Sequence, residues 1–421
     1  MVAPHPDDEA LIASGTVAAA VAANHTVKIV VITNGDFAGV QTGLARQVES
    51  VNSAQVLGLT EPNVIFLGYP DGALMQIYNA PSPTDVIQSN AGQIQTYGNR
   101  GFNNTDYHTW RFGSPGPYNR VTLEQDIRTL IAELQPDEIY TVSHFDSHGD
   151  HAATGILVAE ALAALKRQGV ALATRLNQGI VWVPGQEQHW PTEAGGCSPD
   201  TPFPPPQMQS PHEWKRALRA TVLGNLKCQA IGAFASQANA HLLSFARKDE
   251  FFWMSDFGAN LALAAQVSAS SESVSQGRMR AVDGIVDGAH HGAAWEWVSA
   301  SQLGGAWIQL DWPAPMSVSQ VNLHGRPLTG ENLLAGTLSF SDGTSIAVGA
   351  LPALGKLLPV TFAPKSVSWV RFTVDQAQGA SAGLSEIQVL GVPLAQAGAN
   401  VAPHFIEGPG GDSDVAITSA E

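Results

Sequence analysis

The hydrophobic pattern of this chain changes period near Asp256, and no single architecture accommodates both halves. Before that point, short apolar runs alternate with helical stretches. Val27 to Thr33 is continuous and β-branched, as a strand covered on both faces would be. Gly43 to Leu57 follows with helical spacing, and Val64 to Leu67 reads as the next strand. Leu123 to Leu134 reads as a helix, Glu138 to Val142 as a strand, Ala152 to Gln168 as an Ala/Leu-rich helix and Gly179 to Val183 as one more strand. This alternation predicts an α/β domain: a Rossmann-like, mostly parallel sheet with helices on both faces. Residues 191–212 read as a Pro/Gly/Ser-rich loop, and helical patterning returns from Pro211 to about Arg247. From Asn260 to Val392 the segments are short and alternating: Trp307 to Leu310, Val318 to Leu323, Thr337 to Phe340, Val367 to Val374 and Glu386 to Leu390. Gly, Pro and Asp separate them, which predicts an all-β sandwich of jelly-roll type. The expected division is 1–256, 257–395 and a tail at 396–421.

A chain of 421 residues is too long for one ordinary core, which agrees with two domains. Hydrophobic residues make up 44%, enough for a core in each. Charged residues are only 14% and the net charge is −16, with no Lys/Arg-rich run, so nucleic acid is excluded as a partner and anionic membranes are disfavoured. No apolar run approaches the roughly 20 residues of a bilayer crossing. Lysines are few, Ser, Thr, Gly and Pro are many, and Asn24-His25-Thr26 and Asn103-Asn104-Thr105 fit the glycosylation sequon. These features predict a secreted protein whose leader is absent from the sequence. Cys197 and Cys228 are either a disulfide or two separate buried thiols. Met1-Val2-Ala3 leaves little room for a first strand. Asn400-Val401-Ala402 and Val415 to Glu421 echo Asn260-Leu261-Ala262 and Val267 to Glu272, so the tail reads either as the start of a trimmed further domain or as an ordinary terminus.

Two polar clusters fall at strand ends of the front half, where α/β sheets place their sites. His5-Pro6-Asp7-Asp8-Glu9 stands where a strand hands over to a helix. Adjacent carboxylates in a turn point different ways, so one can ligate a metal while its neighbour stays free as a base. Residues 144–151 (His-Phe-Asp-Ser-His-Gly-Asp-His) hold three histidines and two aspartates in eight residues, which packing does not explain. Zinc takes such nitrogen and oxygen donors. Asp71 sits in a Pro-Asp-Gly turn, which is ordinary turn chemistry. Tyr107, His108, Trp110 and Arg111 lie in a predicted loop of about thirty residues, a length that is usually functional; their aromatics read either as sugar-stacking rings or as a self-packed surface loop.

These motifs carry a resemblance. Residues 2–256 resemble the PIG-L (LmbE-like) de-N-acetylases. The matching pieces are His5-Pro6-Asp7-Asp8-Glu9, Thr33-Asn34-Gly35-Asp36, Arg46 with Glu49, Tyr69-Pro70-Asp71-Gly72 and His148-Gly149-Asp150-His151. The resemblance implies zinc on His5, Asp8 and His151. It implies Asp7 as general base and His148 as the residue that stabilises the oxyanion or protonates the leaving amine. Three protein ligands leave a position for water, which is the catalytic arrangement. Either Asp7 or His148 supplies the final proton. Asp71 is implied as a sugar-hydroxyl contact and Arg46 as a group near the substrate, unless it pairs with Glu49 on its own helix face. Asp36 and Trp110 are further substrate candidates. Where other members place a Tyr before the histidine pair, this sequence has His144 and Asp146, candidates for substrate contact or for supporting the metal site.

Residues 260–392 resemble the discoidin-like, coagulation-factor C-type domains, which are close to carbohydrate-binding modules and galactose-binding-like in fold. The matching pieces are Asn260-Leu261-Ala262, Ala269-Ser270-Ser271-Glu272, Ala281-Val282-Asp283-Gly284, Trp307-Ile308-Gln309-Leu310, Phe340-Ser341-Asp342-Gly343, Val370-Arg371-Phe372 and Gly383-Leu384-Ser385-Glu386-Ile387. This implies a structural calcium at Asp283 and Glu386, whose hard oxygens suit it, unless both are turn residues with no ion. Trp295, Trp297, His324 and Arg326 are candidates for sugar contact, with Trp297 and Trp307 equally core residues, and the domain reads alternatively as a rigid spacer packed on the catalytic half. Together the two halves predict a zinc-dependent enzyme that removes the N-acetyl group from an N-acetylglucosamine-type sugar or glycan. The competing readings are a lectin-like protein with an inactive front domain and a metal amidase acting on another sugar conjugate.

Overall fold

A computed structural model of the chain describes residues 1–182, 197, 215–217, 224–237, 240–247, 250–286, 295–328 and 330–394. The front half is an α/β sheet. Despite its few residues, Val2–Ala3 forms strand β1, and the motif turn leads directly into helix α1 (Asp8–Ala22). Strand β2 (Ile29–Thr33), helix α2 (Val40–Val56), strand β3 (Val64–Tyr69) and helix α3 (Leu74–Tyr78) follow. Every residue of β2 and β3 is buried, as their unbroken apolar runs require. The order β1-β2-β3 is parallel throughout.

The predicted long loop contains a short helix, α4 (Tyr107–Phe112). Asp106 caps it by accepting the Thr109 amide at 2.9 Å, and Gly113 closes it in the left-handed conformation. Then come α5 (Arg120–Leu134), β4 (Glu138–Val142), α6 (Gly149–Arg167) and β5 (Arg175–Gly179). The last strand lies earlier than the expected Gly179 to Val183. Its continuation is cut off because the Val181 and Trp182 amides donate to Asp146 Oδ2, at 2.8 and 3.0 Å, instead of to a neighbouring strand. The expected helical stretch from Pro211 holds strand β6 (Lys215–Ala217) as well as α7 (Gly224–Gly232) and α8 (Ala240–Leu243). Strand β7 (Glu250–Asp256) pairs antiparallel with both β5 and β6, so this part of the sheet is mixed. The Thr141 hydroxyl donates to the Val2 carbonyl at 2.8 Å and brings β4 beside β1. A disulfide joins Cys197 to Cys228. The tail expected at 396–421 lies outside the described residues.

The second half is an antiparallel sandwich: β8 (Gln266–Ala269), β9 (Trp297–Val298), β10 (Trp307–His324), β11 (Asn332–Phe340), β12 (Ser345–Val348), β13 (Leu357–Gln378), β14 (Gly383–Leu384) and β15 (Glu386–Pro393). The main sheet has the order β12-β11-β13-β10-β15, with β8 also paired to β10. Ile308, Leu310, Val370 and Phe372 point inward at alternate positions, while Trp307, Gln309 and Arg371 stay on the outer face. The two halves share side chains. Phe257, Leu263, Ile285 and Trp295 pack in the core of the front domain, beside Tyr78 and Leu157. Each such burial contributes about 1.5–3 kcal/mol. Lys166 reaches across to the carbonyls of Phe257, Gly258 and Asn260, and Arg280 meets Glu160 at 2.9 Å. Among the described residues no helix is long and apolar enough to cross a membrane.

Candidate metal centre

The turns after β1 and β4 bring the two polar clusters together at the same end of adjacent strands. His5 Nδ1, Asp8 Oδ2 and His151 Nε2 form a triangle with sides of 3.1, 3.1 and 3.2 Å. Three donors bound tetrahedrally to zinc at its usual bond lengths stand about 3.3 Å apart, so the triangle has the size of one face of a zinc tetrahedron. Two imidazole nitrogens facing one another across a carboxylate oxygen is an arrangement that a cation satisfies and that protons satisfy poorly.

Each imidazole is backed by a carboxylate. His151 Nδ1 lies 3.1 Å from Asp146 Oδ2, and His5 Nε2 lies 3.1 Å from Asp150 Oδ2 and 3.2 Å from Asp71 Oδ1. Such partners fix ring orientation and raise donor strength. Burial alone would depress both imidazoles. The carboxylates outweigh it, raising His151 to about 10 and holding His5 well above its ordinary value. Burial pushes Asp8 up, but His151 and His5 prevail and hold it well below the carboxylate range. Two triads of possible ligand atoms, His5/His148/His151 and His5/Asp71/Asp150, each lie within 4.8 Å of one another.

Asp7 stands beside the triangle as the residue before α1, with φ 139° and ψ −34°. A non-glycine residue held there costs on the order of 1–3 kcal/mol. Neighbours impose it. The Asp7 amide donates to Glu9 Oε2 at 3.0 Å, and Glu9 Oε1 accepts from the Ser50 hydroxyl at 2.7 Å. Arg46 Nη2 donates to the Pro6 carbonyl at 2.9 Å and lies 3.5 Å from Asp7 Oδ2. Burial, then the neighbouring Asp8 charge, pushes Asp7 up to about 7 against the pull of Arg46. The His148 ring packs 4.9 Å from His5 and 4.7 Å from His151. Burial, then those two cationic rings, holds it below its ordinary value, and its Nδ1 is buried with no hydrogen-bond partner among the described residues.

The remaining candidates divide. Arg46 does not pair with Glu49, which accepts from the Ser236 amide and hydroxyl, both at 2.7 Å. It ties three loops together through Pro6, the Gly35 carbonyl at 3.1 Å and Asp71 Oδ2 at 3.4 Å. Asp71 therefore faces both His5 and Arg46. Asp36 accepts the Asp71 amide at 3.0 Å and the Tyr97 hydroxyl at 2.9 Å. Asp146 is buried behind His151, where it also accepts the His148 amide at 3.0 Å. His144 is buried and stacks on Phe145 at 4.4 Å. Trp110 packs on Phe102 and Tyr107, outside the donor cluster. Asp150, which sequence reasoning quoted but gave no role, accepts the Gly72 and Leu74 amides at 2.6 and 2.9 Å besides contacting His5. Its place between the two histidines of one turn was the available signal.

In the sandwich, Asp283 and Glu386 are buried and adjacent. Asp283 Oδ1 accepts the Ile285 amide at 3.0 Å and Glu386 Oε1 the Gly284 amide at 3.2 Å, while among the described residues Asp283 Oδ2 and Glu386 Oε2 have no hydrogen-bond partner. Arg280 lies 3.5 Å from Asp283 Oδ2. Burial drives both carboxyls well above their usual range. Two adjacent buried carboxylates, with only Arg280 near one of them among the described residues, fit a hard cation. The four aromatic and basic candidates are all buried. Trp297 is core, Trp295 donates to the Tyr78 hydroxyl at 3.4 Å, His324 Nδ1 lies 3.0 Å from the Gly355 carbonyl, and Arg326 clamps Glu296 with two 3.0 Å bonds.

Residues 1–162 match the PIG-L family model, described as GlcNAc-PI de-N-acetylase. Residues 260–390 match a second family, a domain of unknown function (DUF7402). No curated protein matches the chain. Among solved structures, a family 32 carbohydrate-binding module from C. perfringens NanJ in complex with galactose aligns at 19% identity, over 30% of this chain and 91% of that one, with a TM-score of 0.26. Chitosan-binding module 1 of a Paenibacillus sp. IK-5 chitosanase/glucanase aligns at 21%, over 31% and 98%, with a TM-score of 0.26. The lectin domain of lectinolysin complexed with Lewis B antigen aligns at 26%, over 31% and 95%, with a TM-score of 0.25. The PIG-L segment contains the whole donor triangle, Asp7 and His148.

Proposed function

We propose that this chain is a secreted, zinc-dependent enzyme that hydrolyses the N-acetyl group of an N-acetylated sugar or glycan of N-acetylglucosamine type, giving acetate and a free amino sugar. The observation that carries the reading is the zinc-sized triangle of His5, Asp8 and His151 with a second, non-ligating carboxylate, Asp7, immediately beside it. His5, Asp8 and His151 would hold the ion. When bound, zinc acts as a Lewis acid on the amide carbonyl and acidifies water.

The chain's own residues do the rest. Asp7 accepts the proton of the attacking water, with Arg46 and Glu9 fixing its carboxylate and backbone. His148 stands against both ligand histidines, where a ring N–H can donate to the negative charge developing on the carbonyl oxygen. The amine leaves with a proton from Asp7 or His148. Asp71 and Arg46 stand in the same cluster, against His5 and Asp7, and would supply polar contacts to sugar hydroxyls. The match of residues 1–162 to a de-N-acetylase family supports the amide as the bond cut.

For the sandwich, the reading is a glycan-binding module with calcium at Asp283 and Glu386, where the ion's charge would offset two buried carboxylates. The disulfide supports an extracellular setting. The test is acetate release from a panel of N-acetylated sugars by metal-stripped protein, by protein with added zinc, and by Asp7→Ala. Zinc-dependent release that disappears in Asp7→Ala is expected. No release from any member by zinc-loaded protein sinks the reading.

A further inference from the structure

We propose that Phe37 is a stacking platform for the sugar next to the one that is deacetylated, so that this site is built for an oligomeric or polymeric glycan; the inference rests on the deacetylase reading above. Phe37 is 63% exposed, the most exposed phenylalanine among the described residues. The loop that carries it is tightly held. The Asn34 side chain donates to the Tyr97 carbonyl at 3.0 Å and accepts from Gln47 at 2.6 Å. Arg46 holds the Gly35 carbonyl, and Asp36 binds both the Asp71 amide and the Tyr97 hydroxyl. The Gly39 amide closes the turn on the Asp36 carbonyl at 2.8 Å. The backbone on both sides of the ring is therefore pinned while the ring stays in solvent.

Its position is specific. The ring edge lies 3.2 Å from where a Cβ on Gly72 would stand, and Gly72 has φ +81°. Glycine is required there both for the backbone and to leave the ring its place. The Gly72 amide donates to Asp150, which contacts His5, and the preceding Asp71 contacts His5 directly. The ring thus stands at the rim of the donor cluster, one residue removed from it. Phe has no polar end, so its contact is with the C–H face of a ring while Asp71 and Arg46 handle hydroxyls deeper in. A platform fixed before binding loses little freedom on contact.

The test compares kcat/KM for N-acetylglucosamine and for its tetramer, using the full zinc-loaded chain as wild type, Phe37→Ala and Phe37→Trp. Wild type should favour the tetramer. Phe37→Ala should reduce that preference about tenfold, through KM and not kcat, because stacking outside the reacting sugar is felt equally in ground and transition states. Phe37→Trp should retain the preference. An unchanged preference in Phe37→Ala, no preference in wild type, or an equal loss on both substrates overturns the platform while leaving the deacetylase reading standing. A wild type inert on both overturns the deacetylase reading itself.

Discussion

Buried imidazoles occur in both halves of this molecule, and their surroundings differ in kind. In the front domain His5 and His151 each have a carboxylate behind the ring, and both are held above their ordinary values despite burial. In the sandwich, His324 has, among the described residues, only the Gly355 carbonyl at its ring, and burial pushes it down to about 4. The carboxylates show the reverse contrast. Asp8 is flanked by imidazoles, whereas Asp283 and Glu386 each leave one buried oxygen without a hydrogen bond. On the proposed reading, the front site would hold a cation with Asp7 as a base beside it. The sandwich has a charge imbalance whose remedy would be structural. If that reading holds, the same residue types serve reactivity in one half and stability in the other, according to who stands behind them.

The strongest way to break the comparison is Asp7→Ala. It should lower kcat for acetate release by about a thousandfold, within the usual range for a general base, while zinc content measured by metal analysis stays unchanged. Loss of zinc with activity would instead make Asp7 a ligand. Next is acid. The folded His324 value lies below the unfolded one, so the unfolded chain binds the extra proton between about pH 6.5 and 4. Stability is present in full above that window and falls on acidification through it, by up to about 3 kcal/mol. Denaturant titrations across this range should show the loss, and His324→Gln should flatten it.

Calcium comes third. Chelation should lower the melting temperature by roughly 5 °C if the ion is held at a hundredfold excess over its dissociation constant, and Glu386→Gln should remove the response. A melting temperature indifferent to chelator and calcium alike would leave the orphaned oxygens to share a proton. The smallest expected change is Asp146→Asn. It should weaken zinc about ten- to a hundredfold by loosening His151, read by competition with a chromophoric chelator.

Much of this was legible before any coordinates. His5-Pro6-Asp7-Asp8-Glu9 and the histidines of residues 144–151 are residue types that packing does not demand, so their clustering pointed to chemistry, and the change of period at Asp256 pointed to a second architecture. What was hidden depends on direction and depth. Nothing in the sequence shows that Asp146 turns back to cap the Val181 and Trp182 amides, which moves strand β5 four residues earlier than its apolar pattern suggests. Nor does it distinguish a tryptophan offered to sugar from one buried between domains, as Trp295 is. Arg46 had a plausible partner one turn away in Glu49, and only the fold shows that each has a different one.

The sharing of Phe257, Leu263, Ile285 and Trp295 with the front core, together with the Lys166 clip, bears on how this chain can be cut and recombined. A break placed at Asp256 strips four apolar side chains from the catalytic half and leaves a greasy scar where they sat. The β-sandwich is therefore not a cassette to be exchanged at will. Fusion partners or truncations that respect this seam must carry the shared side chains with the enzyme half, and a protease cleaving there should find its two products still clasped.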